Sequence, residues 1–477
     1  MKHSNIFEKI KTFYLEAIST KKSLNLYRSP VSSDAISDVI IRRNNQALIS
    51  FACNDYFSLS HNPNVKKAAI DAIQKYGVGA RGSRYVTGNN SLYVALESQL
   101  AAMKGCDDSI VFASGYAAAI GVIPALVSKR DLIVADRLIH SSLIDGAKLS
   151  GAKLMRFVHN DVAACRKVLE ENRGKFDKCL IVTETVFSMD GDCGPVEELL
   201  ALAVEFDGLL ISDAAHDLWL GNVVEGGPRH EDGATKGGDV VIQGEGESGV
   251  TQGECEDGVT QGGDEVRKGK SESGMSTGKG GMINKWDNVT TDCHPVFMTG
   301  SINPQSHHLQ MGTFSKAVGT LGGYICGDKD MIDYLRNFAK SAIYSTALPP
   351  AVLAATLASL KIIEKENFES HSLEEDSLGQ KSLGQRALEN AEYFCELMGL
   401  QKPESAIVVM IIGDNNKVIE IAQNLEKQGL LISAIRPPTV EVGKARLRIT
   451  FSTHHSKQQI QSLVKKLLHQ IGSPEKN

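Results

Sequence analysis

No run of about 18 consecutive apolar residues occurs anywhere in the sequence, which argues against an ordinary membrane-spanning helix. A basic excess is missing too: 51 lysines and arginines stand against 57 acids, for a net charge of −6. The surface therefore lacks the electrostatic footprint of a nucleic-acid binder. The nine cysteines include no CxxC pair, so neither a disulfide framework nor a metal site is expected. Free thiols in a reducing compartment, the cytoplasm, fit that usage. The opening MKHSNIFEKIKTFYLEAIS alternates charged and apolar residues at helical spacing. It has no apolar core of about 7–15 residues and does not read as a signal peptide. Phe, Trp and Tyr are absent between Arg229 and Met282, inside a stretch at about 222–307 that is rich in Gly, Glu, Ser and Thr and carries GVTQG at 249–253 and again at 258–262. Such a segment buries too little surface to offset the entropy of ordering, and disorder is expected there.

What is present belongs to a large globular protein: 477 residues, 42% of them hydrophobic and 23% charged, enough for a sizeable core and more than one lobe. From about Asp107 to His216, the strand-like runs SIVFA, DLIVAD, KLMRFV, CLIVTE and LLISD alternate with helical stretches. That alternation predicts βαβ units on a mainly parallel sheet. Leu92 to Met103 and Val196 to Phe206 space their apolar residues three and four apart, as helices packed on such a sheet would. After about Pro350 the pattern changes to a long helical stretch, the strands SAIVVMIIG, LLISAI and RLRITFS, and a closing helix over Gln459 to Leu467. The expected division is an N-terminal segment over 1–50, a large domain over 51–349 interrupted by the insertion, and a smaller C-terminal α+β domain over 350–477.

Three short elements stand at or just past predicted strand ends, where open α/β sheets bind ligands. Ser114-Gly115-Tyr116 opens a helix whose free N–H groups suit a phosphate, although a plain strand-to-helix turn has the same form. Asp213-Ala214-Ala215-His216 places a carboxylate where it could hold a cationic ring nitrogen, or simply cap a helix. Gly312-Thr313-Phe314-Ser315-Lys316-Ala317 sets a lysine among small residues and hydroxyls, an unusual setting for a solvated lysine and a suitable one for an imine-forming amine. Taken together they suggest pyridoxal 5′-phosphate (PLP), which needs an amine, a carboxylate and a phosphate cradle.

Together with CNDYFSLS, GARGSRYVTG, ASGYAA, DRLIHSSLIDG, TETVFSMDGD, GTFSKAVGTLGGY, YSTALPP and IRPPTVEVGKARLRITFS, these elements make a chain that resembles the α-oxoamine synthases. Those are PLP enzymes of fold type I that condense an amino acid with an acyl thioester and release CO2. The resemblance implies an α/β fold with a large domain, its mainly parallel central sheet covered by helices, and a smaller C-terminal α+β domain. It makes Lys316 the Schiff-base lysine and proton shuttle, Asp213 the partner of the pyridine nitrogen and His140 the ring stacked on the cofactor. Ser188 and His216 would serve the phenolic oxygen. Gly115, Tyr116 and Thr313 would hold the phosphate, with Thr346 reaching it from a second subunit, which implies a homodimer. Arg448 would pair with the amino-acid carboxylate, and Asn54 and Arg28 would make further substrate contacts.

GSRYVTG, VFSMDGD and AIRPPTV look most like the members that join L-alanine to a pimeloyl thioester of coenzyme A (pimeloyl-CoA) or acyl carrier protein. Sister enzymes use glycine with acetyl or succinyl thioesters, and non-catalytic scaffold subunits also occur. Some positions depart from the family pattern. Tyr93 stands where His is common, Ala119 where Asn is common and Lys340 where Arg is expected, and Asp217-Leu218-Trp219 replaces small residues after His216.

Overall fold

Strands five or six residues long, several of them buried end to end, set the architecture. The computed structural model describes residues 2–218, 304–371 and 381–471. The chain opens with α1 (Lys2–Ser23) and strands β1 (Asp34–Ala35), β2 (Ile40–Arg43) and β3 (Gln46–Ser50), followed by helices α2 (Pro63–Tyr76) and α3 (Ser91–Lys104). Strands and helices then alternate: β4 (Asp108–Phe112), α4 (Gly115–Leu126), β5 (Leu132–Asp136), α5 (Ser141–Ser150), β6 (Lys153–Phe157), α6 (Val162–Asn172), β7 (Cys179–Glu184), α7 (Val196–Glu205) and β8 (Leu209–Asp213). Next come β9 (His308–Thr313), β10 (Gly323–Gly327), α8 (Lys329–Phe338), α9 (Lys340–Ile343), α10 (Pro350–His371) and α11 (Leu383–Met398). The remaining elements are β11 (Ile407–Gly413), α12 (Asn415–Lys427), β12 (Leu430–Leu431), β13 (Ser433–Ile435), β14 (Ala445–Thr450) and α13 (Lys457–Ile471).

Seven strands form the central sheet in the order β4-β10-β9-β8-β7-β5-β6. Only β10 runs antiparallel to its neighbours; the other four pairings are parallel. Every residue of β5 and β7 is buried, as expected when helices cover both faces. Side-chain alternation sorts the strands: Ile133, Ala135, Leu180 and Val182 pack on one face with α4 and α5, while Leu132, Val134, Cys179 and Ile181 pack on the other with α6 and α7. The fold is the expected α/β arrangement, and β5, β7, β8 and β9 all end along one edge, at Asp136, Glu184, Asp213 and Thr313.

Two smaller sheets complete the structure. β11, β14 and β13 form an antiparallel sheet on which α12 packs. LLISAI, expected as one strand, is two: Leu430-Leu431 pairs in parallel with β3, and past Ile432 the chain crosses to pair with β14. The segment before residue 51 therefore shares a sheet with residues near the C-terminus. Phe51 reinforces that join, stacking on His455 at 4.2 Å between ring centroids and meeting Phe451 edge-on at 5.8 Å.

Trp219 and nearly all of the expected insertion lie outside the described residues; the described chain resumes in a turn at Pro304–His307, where His307 Nδ1 donates to the Gly208 carbonyl at 2.8 Å. Cys53, Cys106, Cys165, Cys179, Cys326 and Cys395 are free thiols, whereas Cys193 is disulfide-bonded, which cysteine spacing alone did not foretell. Among the described residues no helix is long and apolar enough to cross a membrane.

Candidate active site

Asp213 ends β8, and Lys316 lies three residues past the end of β9, the adjacent parallel strand. The Lys316 Nζ stands 2.7 Å from His216 Nε2, and His216 Nδ1 stands 2.7 Å from the Tyr56 hydroxyl. Burial pulls the Lys316 amine down to about 8, with Arg448 adding to the effect and the carboxyl groups of Asp213 and Glu184 opposing it. Burial, Lys316 and Arg448 hold His216 well below the usual imidazole range, so its ring is neutral and carries one proton. Burial raises the Tyr56 hydroxyl to about 12, against the opposing Arg448. Asp213 is buried as well, which raises its carboxyl against the pull of Lys316 and His140; one oxygen accepts the Ala215 N–H at 3.0 Å.

Arg448 reaches this cluster from β14. It is only 4% exposed, and its guanidinium donates to the Ser188 carbonyl at 2.5 Å, Asn54 Oδ1 at 3.1 Å and the Tyr56 oxygen at 3.4 Å. All three partners are neutral, and no ion pair joins Arg448 to a carboxylate among the described residues. A buried cation held only by neutral groups is costly unless an anion joins it, which suits a substrate carboxylate.

His140 caps α5, accepting the Ser142 N–H on Nδ1 at 3.2 Å with the Ser142 hydroxyl at 2.8 Å. That contact orients the ring, whose charged form burial disfavours, with Asp213 opposing the effect and Lys316 adding to it. Glu184 at the end of β7 pairs with Asp213 across the strand register, and its Oε1 is buried with no hydrogen-bond partner among the described residues. Burial first, then Asp213, holds its carboxyl well above the usual range. Neither Glu184 nor Tyr56 was singled out from the sequence, although both lie within the motifs TETVFSMDGD and CNDYFSLS.

A cradle forms where α4 begins. The Ser114 hydroxyl accepts the Ala117 N–H at 3.1 Å, leaving the Gly115 and Tyr116 N–H groups at the helix mouth with no carbonyl a turn behind them. A Cβ on Gly115 would stand 3.3 Å from Thr313 Cβ, so glycine allows the helix start to approach the end of β9. Thr313 donates its hydroxyl hydrogen to the Gly322 carbonyl at 2.7 Å and lies 2.8 Å from the Ser315 hydroxyl. The Tyr116 hydroxyl points elsewhere, donating to Asp145 at 2.9 Å.

Two expected residues make their contacts away from the site. Arg28 is exposed and donates to the Thr439 hydroxyl at 2.7 Å, beside Arg436. Thr346 is exposed at an isolated bridge to Ser83. The departures have local explanations. Tyr93 is buried under the Arg84 guanidinium, and its hydroxyl accepts the Leu348 N–H at 2.6 Å in the YSTALPP segment. Asp217 faces the buried amine of Lys104 at 3.5 Å, while Leu218 is buried beneath Gly384, so the residues after His216 are pinned. Ala119 is fully buried in the core, whereas Lys340 is exposed at the start of α9.

The family model for class I and II aminotransferases matches residues 46–227 and 283–467. An 8-amino-7-oxononanoate synthase of Methylorubrum populi is 37% identical over 425 residues, covering 89% of this chain and 86% of that one. Among solved structures, a serine palmitoyltransferase of S. paucimobilis with bound PLP–myriocin aldimine superposes with a TM-score of 0.70 at 21% identity, covering 96% of each chain. An 8-amino-7-oxononanoate synthase of Francisella tularensis superposes with a TM-score of 0.57 at 23% identity, covering 89% of this chain and 98% of that one. The structural likenesses carry the fold, and the sequence matches carry the kinship: this chain belongs to the class I and II aminotransferase family and, within it, to the α-oxoamine synthases.

Proposed function

We propose that the protein is a PLP-dependent acyltransferase that condenses L-alanine with a pimeloyl thioester, giving 8-amino-7-oxononanoate, CO2 and a free thiol, an early step of biotin biosynthesis. The observation that carries the reading is the amine of Lys316, held against His216 and linked through His216 and the Tyr56 hydroxyl to the buried guanidinium of Arg448. The relatives named 8-amino-7-oxononanoate synthase support the substrate pair. We read 51–349 as the cofactor-carrying domain and 350–477 as a smaller domain that delivers Arg448.

The residues present fit PLP. The free N–H groups of Gly115 and Tyr116 would take its phosphate, Thr313 would join them by turning its hydroxyl from the Gly322 carbonyl, and Thr346, exposed in its own chain, would reach the phosphate of a second copy in a homodimer. Asp213 would keep the ring nitrogen protonated, His140 would cover the ring face, and Ser188 and His216 would serve the phenolic oxygen. When bound, PLP supplies an electron sink for the carbon that loses its proton and its carboxyl group.

The chain's own groups do the rest. Arg448, with Asn54 beside it, binds the alanine carboxylate and fixes which bond at Cα faces Lys316. Nζ of Lys316, neutral in part at physiological pH, takes the Cα proton. When Nζ is neutral, His216 Nε2–H donates to it and Tyr56 O–H donates to Nδ1; when Nζ is charged, both hydrogen bonds reverse. A proton entering at Tyr56 thus leaves at Lys316 with no heavy atom moving. Arg28 is read as a further substrate contact. A cytoplasmic location is read from the free thiols, six among the described residues, against the one disulfide-bonded cysteine, Cys193.

The test is thiol release by the purified protein with PLP, using L-alanine or glycine with pimeloyl-CoA or acetyl-CoA, and Lys316→Ala as control. Fastest release with alanine and pimeloyl-CoA, abolished by the substitution, is expected. Preference for glycine with acetyl-CoA would keep the α-oxoamine chemistry and remove the biotin assignment. PLP binding without thiol release from any pair would favour a scaffold subunit.

A further inference from the structure

Past the cofactor groups, three side chains meet behind the two loops that carry His140 and Ser188. Asp136 ends β5, four residues before His140, and is fully buried. Asp192 follows Ser188 by four residues. His159 stands between them: Nδ1 lies 3.0 and 3.1 Å from the two Asp136 oxygens, and Nε2 lies 2.7 Å from Asp192 Oδ2. A neutral imidazole has one donor and one acceptor nitrogen, so it would turn a lone pair toward one of the two carboxylates. Only the doubly protonated ring satisfies both. Burial works against that charge, but Asp136 and Asp192 outweigh it and raise the ring to about 10.

The same side chains hold the backbone. Asp136 also accepts the N–H groups of Leu138 at 2.7 Å and Asn160 at 2.8 Å, while the Asn160 amide donates to Asp192 at 3.1 Å and the Cys193 carbonyl at 2.9 Å. The His159 ring meets Phe187, the residue before Ser188, edge-on at 4.4 Å. β14 grips the same loop: Arg446 donates to the Met189 carbonyl at 2.9 Å and pairs with Asp190, and Arg448 donates to the Ser188 carbonyl. The 185–193 loop is therefore held by an imidazolium and two guanidiniums.

We propose that His159 is a positioning residue of the active site, an imidazolium staple between Asp136 and Asp192 that fixes the loops presenting His140 and Ser188 and, through the Ser188 carbonyl, the aim of Arg448. This rests on the reading of the site as a PLP site. The staple touches neither cofactor nor substrate; it acts through the backbone of residues that do.

The test uses His159→Gln and Asp192→Asn in the full-length protein. Asp192→Asn is the milder change: Asp192 is 34% exposed, and the variant leaves the His159–Asp136 contact in place. We measure the PLP dissociation constant, the visible circular dichroism of bound PLP, and KM separately for amino acid and thioester, with thermal unfolding as the check on folding. A folded Asp192→Asn protein is expected to bind PLP about tenfold more weakly, with a changed dichroic band and a KM increase larger for the amino acid than for the thioester. Wild-type PLP affinity, dichroism and KM values in a folded Asp192→Asn protein would overturn the staple. If His159→Gln fails to fold, Asp192→Asn decides alone. Wild-type protein that does not bind PLP would instead sink the cofactor reading, so the two failures are distinguishable.

Discussion

Reductive labelling of the cofactor-free protein with a small aldehyde and cyanoborohydride should read the amine of Lys316 directly, because only the neutral amine attacks a carbonyl. Burial holds that amine down to about 8 from an ordinary value of 10.5. The sign follows: the reactive form grows as pH rises through 8, well before an ordinary lysine begins to react. At about pH 7.4, roughly a fifth of the Lys316 amines are neutral, against about 0.1% for an ordinary lysine, an advantage on the order of 250-fold. Labelling across about pH 6 to about pH 11, with mass spectrometry of the Lys316 peptide and a lysine-containing model peptide as reference, gives the midpoint. Two variants move it in opposite directions. Asp213→Asn removes a group that holds the proton on and should lower the midpoint; Arg448→Gln removes a neighbouring cation and should raise it. A wild-type midpoint at or above about 10 would refute the claim that the site activates this amine.

Two further substitutions probe the framework around the site. Gly191 has φ +80°, and a Cβ there would stand 2.4 Å from the Ile407 carbonyl oxygen, so Gly191→Ala should cost at least about 2 kcal/mol in urea unfolding and displace the loop bearing Ser188. Wild-type stability would show that the loop yields. Tyr93→Phe leaves the buried Leu348 N–H without its acceptor and should cost about 1–3 kcal/mol by thermal unfolding, with little change in PLP affinity.

Much of the fold was legible because five apolar runs alternate with amphipathic helices between Asp107 and His216, and a strand buried on both faces looks the same in sequence wherever it lies in the sheet. What the runs could not reveal was partner and register. LLISAI reads as one strand because its composition is uniform, yet Ile432 divides it between two sheets, and the pattern contains nothing that says where a strand changes neighbours. The candidate site was legible where its residues sit in compact motifs at strand ends, as Asp213 and Lys316 do. Tyr56, Glu184 and His159 were not, since a tyrosine, a glutamate and a histidine acquire meaning only through what faces them. His159 becomes charged because two acids from different loops converge on it, and no local spacing encodes that convergence.

The grip of β14 on the site also has a bearing on the order in which the protein is made. Arg448 reaches Asn54 across 394 residues, and Arg446 reaches Met189 across 257. Folding during synthesis proceeds from the N-terminal end. The amine, the strand-end carboxylates and the helix mouth can therefore assemble on the central sheet while the guanidinium for the substrate carboxylate is still unmade. An incomplete chain would hold a tuned amine with no means of aiming a substrate at it, and capture of the amino acid would mark a molecule whose last strand has reached its place.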